Sequence, residues 1–136
     1  MNLIKYKKGY KYQLVSSFFI DVSIFPEEDI ISEWVSLNKK GRLIIKEGYA
    51  WDGPSGCAID TKTFMRGALV HDALYQLMRA GKLNSVWREN ADKEMKKVCL
   101  EDGMSKIRAW YVYHAVRKLA VKAAWPSSRK KIYCAP

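Results

Sequence analysis

Two short, glycine-marked breaks constrain this chain more than any other feature. Gly81 and Gly103 divide residues 63–125 into three stretches whose apolar residues recur with helical spacing. Asp60 or Thr61 offers a cap for the first helix, expected from about Thr63 to Ala80. Asn84 or Ser85 opens the second, which closes near Asp102, and Ser105 opens the third, from Lys106 to about Trp125, where Pro126 stops it. The links at 81–84 and 103–105 are only a few residues long, so the first two helices are expected to pack as antiparallel neighbours.

The N-terminal third has a different texture. Residues 10–22 are β-branched and aromatic and predict one or two strands, and Pro26-Glu27-Glu28-Asp29 breaks them. Two further strand-like runs, Glu33 to Leu37 and Arg42 to Lys46, flank Asn38-Lys39-Lys40-Gly41, a sequence suited to a tight hairpin. The expected fold class is therefore α+β. A small N-terminal antiparallel sheet (1–48) leads through a Gly-rich loop (49–60) to three helices (61–125) and a basic tail (126–136), all in one domain of 136 residues.

Composition narrows the class. Apolar residues make up 49% of the chain with no low-complexity tract, which excludes a disordered protein. No apolar run is long enough to span a bilayer, and the lysines near Met1 lack the apolar stretch of a secretory signal behind them. Three cysteines, Cys57, Cys99 and Cys134, form no CxxC pair, which argues against a disulfide framework or a structural zinc site and for a reducing compartment. The formal charge of +10 favours an anionic partner: a lipid headgroup surface, an acidic protein or nucleic acid. A solvated basic face is the plain alternative, and nucleic acid is the weaker expectation because no recognised binding module is visible.

Within the first helix, Gly67-Ala-Leu-Val-His71-Asp72-Ala-Leu-Tyr75 sets a His-Asp pair in the middle of a core-forming surface, where polar groups are costly unless they are bonded. His71 and Tyr75 are four apart and share a face, while Asp72 lies about 100° round the axis. On the second helix Arg88 and Asp92 are also four apart, and Met95 continues their stripe. His71 stands about ten residues before the Gly81 turn and Asp92 about eleven after it, so antiparallel packing brings them to the same height. An aspartate facing a histidine fixes its tautomer and supports the imidazolium during proton abstraction. Asp72, turned elsewhere, is left to meet the loop Trp51-Asp52-Gly53-Pro54-Ser55-Gly56. Two carboxylates with loop carbonyls would form a hard-oxygen set suited to calcium. Taken one at a time these residues have bland explanations: a bonded core histidine, core side chains at Tyr75 and Met95, and a helix salt bridge between Arg88 and Asp92. His114, near Trp110 and Tyr111, reads as structural, with metal ligation as its alternative.

The pattern His71-Asp72-x-x-Tyr75, followed by Arg88-x-x-x-Asp92 with Met95 and Cys99 beyond, resembles the two catalytic helices of phospholipases A2, and most of all their small prokaryotic branch. The third helix, Ala109-Trp110-Tyr111-Val112-Tyr113, is similar to the helix that follows in that branch, and the likeness covers roughly residues 49–120. The whole chain also resembles a phage-associated family of unknown function (domain of unknown function 1353). The phospholipase resemblance implies a three-helix core of that type and a set of roles. His71 would be the general base and Asp92 its orienting partner, with Tyr75 and Arg88 supporting them. Asp52, Asp72 and Gly53, with Ser55 in the same loop, would hold calcium to polarise the ester carbonyl. Pro54 departs from that loop pattern, and Cys99 has no evident disulfide partner.

The expectation is a phage or prophage hydrolase with a His-Asp dyad and a metal site, most concretely a calcium-dependent esterase acting on phospholipid at a membrane surface. Its place would be the host cytoplasm or the virion. Two alternatives stand beside it. One is a non-enzymatic phage accessory protein that binds an anionic partner. The other is a transition-metal hydrolase, with zinc or a similar ion on His71, Asp52 and His114.

Overall fold

The computed structural model describes residues 3–7, 12–51, 62–119 and 124. Its N-terminal part is two small antiparallel sheets, where the sequence reading expected one. Three helices follow, an α+β arrangement. The first sheet has the order β1-β2-β7, from β1 (Tyr6–Lys7), β2 (Tyr12–Leu14) and β7 (Ala50–Trp51). The second has the order β3-β6-β5-β4, from β3 (Phe18–Asp21), β4 (Ile30–Ile31), β5 (Val35–Leu37) and β6 (Arg42–Ile45). The anticipated hairpin joins β5 to β6, with Leu37 opposite Leu43, and the Asn38 side chain accepts from the Lys40 and Arg42 amides to close it.

Ala50 and Trp51 correct the reading of 49–60 as loop throughout. They pair with Gln13 and Tyr12, and Trp51 is buried among the rings of Tyr6, Tyr12 and Tyr49. A buried aromatic on one face of a two-residue strand supplies that pairing, although so short a run carries no periodicity.

The helices lie close to their expected bounds. The first, α1, runs Lys62–Arg79. Asn84 caps a single 3₁₀ turn, Ser85–Trp87, by accepting from the Val86 amide, and α2 then runs Arg88–Glu101. The second helix thus begins as a tighter turn than a uniform α-helix. Ser105 accepts from the Arg108 amide at the start of α3, Lys106–Leu119. Gly81 and Gly103 sit at φ values of 72° and 95°, a left-handed conformation that glycine adopts without a Cβ penalty and that ends each preceding helix. The expected extension of the third helix to Trp125, the caps at Asp60 and Thr61, the Gly-rich loop beyond Trp51 and the basic tail lie outside the described residues, apart from Ala124.

The helix α1 is the centre of the molecule. Thirteen of its 18 residues are buried. One side, including Met65, Leu69, Leu74 and Leu77, packs with Leu14, Phe18, Val35, Leu43 and Ile45 of the sheets. The other, through Phe64 and Ala68, packs with Met95 and Cys99 of α2 and with Ala109 and Val112 of α3. The chains of α1 and α2 run in opposite senses: Arg66 meets Asp102, His71 meets Asp92 and Tyr75 meets Arg88. At Gly67 the helices come so close that a Cβ would lie 2.5 Å from Cys99 Sγ and 3.0 Å from the Met95 carbonyl oxygen.

Candidate functional site

The geometry of two antiparallel helices delivers the dyad. His71 and Tyr75, one turn apart on α1, bring their ring centroids to 4.0 Å. Opposite them Asp92 is fully buried, at 0% exposure, and its carboxylate is almost saturated. His71 Nε2 lies 2.8 Å from Oδ1, and the Tyr75 hydroxyl donates to the same oxygen at 2.7 Å. Arg117 Nη1, from α3, donates to Oδ2 at 2.8 Å, and Arg88 Nη1 stands 3.7 Å from that oxygen. Arg88 also reaches the Tyr75 hydroxyl and the Arg117 carbonyl oxygen, both at 3.4 Å. A buried carboxylate is tolerable only with such compensation.

These contacts set protonation. Burial alone would push the Asp92 carboxyl up, but donation from His71, Tyr75 and Arg117 overrides it and holds the group below its ordinary value. An ionised carboxylate only accepts, so His71 Nε2 carries a proton and Nδ1 is left as the atom that can gain or lose one. Burial pulls the imidazole down, yet the carboxylates of Asp72 and Asp92 outweigh it and raise it above the usual histidine value. Burial and the Asp92 charge raise the Tyr75 hydroxyl, which stays a donor at any physiological pH.

Asp72 is nearer to His71 than the helical angle suggests. Its Oδ1 lies 3.9 Å from His71 Nδ1, ion-pair range but beyond a hydrogen bond, and its side chain is 34% exposed. It therefore flanks the dyad on the solvent side instead of turning away from it. The structure brings together His71, Asp72, Tyr75, Arg88 and Asp92 of the predicted site. Asp52, Gly53 and Ser55, the loop part of the expected calcium set, lie outside the described residues. Among the described residues no three His, Cys, Asp or Glu side chains converge on a metal position. His114 is exposed on α3 and packs against Trp110 and Tyr113, at 4.6 and 5.2 Å between ring centroids.

Arg117 is the member of the site that sequence reasoning missed. It stood there only as part of a basic run. Its one signal is its position next to Val116, the last residue of the Ala109-Val112-Val116 stripe that faces the core. A cation beside a buried stripe needs an anion, and Asp92 supplies it.

Neither a curated protein nor a solved structure matches the chain significantly. A family model does match, over residues 30–116, a span that holds four of the seven strands, both helices of the dyad and most of α3. With well over half its length inside that model, the chain belongs to the family described as Protein of unknown function (DUF1353).

Proposed function

We propose that this chain is a hydrolase in which His71 and Asp92 form a proton-transfer dyad, most concretely a phospholipase A2-like carboxylic ester hydrolase of phage or prophage origin. The observation that carries this reading is the asymmetric setting of His71. One nitrogen is fixed on a buried aspartate at 2.8 Å, and the other faces a partly exposed carboxylate at 3.9 Å. A histidine that served only to brace helices would have no need of an acidic group beside its second nitrogen.

In this mechanism Nδ1 of His71 takes a proton from the water that attacks the ester carbonyl. The Nε2–H···Asp92 bond holds the ring in the reactive tautomer and stabilises the imidazolium. The same Nδ1 then returns the proton to the departing alcohol oxygen as the C–O bond breaks. Tyr75 and Arg117 keep Asp92 ionised and in place, and Arg88 steadies both. The partly exposed Asp72 oxygen fits a hard cation. With Asp52, Gly53 and Ser55 it would hold calcium, which when bound would polarise the ester carbonyl. Only the neutral form of His71 can act as base, so activity should climb as pH rises through a midpoint above 6.5.

The test is fatty-acid release from phospholipid vesicles with and without added calcium, comparing the wild type with His71→Ala and Asp92→Asn. Loss of about 10²-fold or more in both variants is expected. Equal release by all three proteins would remove the esterase reading. It would leave the accessory-protein alternative, which the +10 charge favours.

A further inference from the structure

The outer face of α3 carries an apolar stripe that the dyad does not use. At about 100° per residue, Ile107, Trp110, Tyr111, His114 and Lys118 fall within an arc of roughly 100°. Ala109, Val112 and Val116 take the opposite side and enter the core. Ile107 is 84% exposed, Trp110 57% and Tyr111 52%, so three large apolar side chains stand in water on one helix face. They line none of the described cavities, and the stripe runs along the outside of the helix as an exposed ridge.

The charge that the helix itself carries is of one sign. From Lys106 to Leu119 the helix holds Lys106, Arg108, Arg117 and Lys118 and no acidic residue. On the helical wheel Arg108 lies on one flank of the ridge and Lys106 on the other, with Lys118 at its C-terminal end, while Arg117 is turned to Asp92. The carboxylates just before the helix, Glu101 and Asp102, are engaged by Arg66.

We propose that this face of α3 is a docking surface for an anionic lipid bilayer, with Ile107, Trp110 and Tyr111 entering the headgroup boundary and the basic flanks meeting lipid phosphates. An exposed apolar ridge edged by cations suits an interfacial plane, where tryptophan and tyrosine place an apolar ring and a polar atom at once. Phosphate contacts alone, as on nucleic acid, would give the exposed Ile107 nothing to bury against. Arg117 makes the surface relevant to the site, because the helix that docks is also bonded to Asp92. The surface stands apart from the hydrolytic reading, since a protein that only settles on lipid would use the same face.

Flotation of the full chain with phosphatidylcholine vesicles, alone or mixed with phosphatidylglycerol, tests it. Binding to the mixed vesicles is expected, weakening as salt is raised. The Ile107→Gln/Trp110→Gln variant, with its fold checked by circular dichroism, should bind roughly tenfold less or worse. His71→Ala should bind like the wild type, which separates docking from catalysis. Ile31→Gln/Val86→Gln, on other exposed apolar positions, controls for general loss of surface hydrophobicity and should also bind like the wild type. Undiminished binding by the α3 variant would overturn the proposal, as would equal loss in the control variant or no wild-type binding at low salt. Vesicle binding without fatty-acid release would keep the surface and remove the esterase.

Discussion

Asp92 and His71 each shift the other's titration, Asp92 downward and His71 upward, and folding stability inherits that dependence. The Asp92 carboxyl is lowered from 3.8, so its contribution is complete above that value and is lost as pH falls through its folded pKa. His71 is raised from 6.5, so its contribution is complete below that value and is lost as pH rises through its folded pKa. The urea midpoint should therefore be highest between the two unfolded values. His71→Gln should flatten the alkaline side of the profile and leave most of the acid side. A profile that keeps its alkaline decline in this variant would place the titration on another group. The dyad was legible because two i,i+4 pairs about one short turn fix which residues face each other. Arg117 was not, because the 103–105 link leaves the rotation of α3 against Asp92 undetermined.

Among the elements, the α1–α2 pair sets the tolerance of the core. A glycine inside a helix ordinarily weakens it, but in the structure Gly67 is the place where α1 and α2 come closest. Gly67→Ala should destabilise the protein by about 1–3 kcal/mol, because a Cβ there would press on Cys99 Sγ and the Met95 carbonyl, and overpacking outweighs the gain in helix propensity. Cys99 is buried and its thiol is pushed up to about 12, so it acts as a small apolar filler. Adding Cys99→Ala to Gly67→Ala should recover part of the loss, measured by denaturant unfolding of all four proteins in the cycle. Strict additivity would mean that the clash lies at Met95 alone. The helices were visible in the sequence because their periodicity runs over many residues. The strands β1, β4 and β7 are two residues each, too short for any local pattern to announce them, and β7 also depends on a partner far back in the chain, β2.

At the scale of the whole molecule, 24 basic residues against 14 acidic ones make self-repulsion the dominant long-range term. The exposed ion pairs that oppose it, Arg42 with Asp21 and Lys93 with Glu89, are of a kind worth little. Raising the ionic strength from a few millimolar to about 0.15 M shortens the screening length to about 8 Å. The Tm should rise; a fall would show that surface pairs outweigh the repulsion. The position of α1 has a further consequence, for how the chain can be cut. Its sheet-facing side, Met65, Leu69, Leu74 and Leu77, has its cover in residues before 52. A protease or a deletion that removed the N-terminal third would not release a trimmed helical domain. It would lay an oily wall open to water beside His71, and the paired helices would be lost with the strands that cover them.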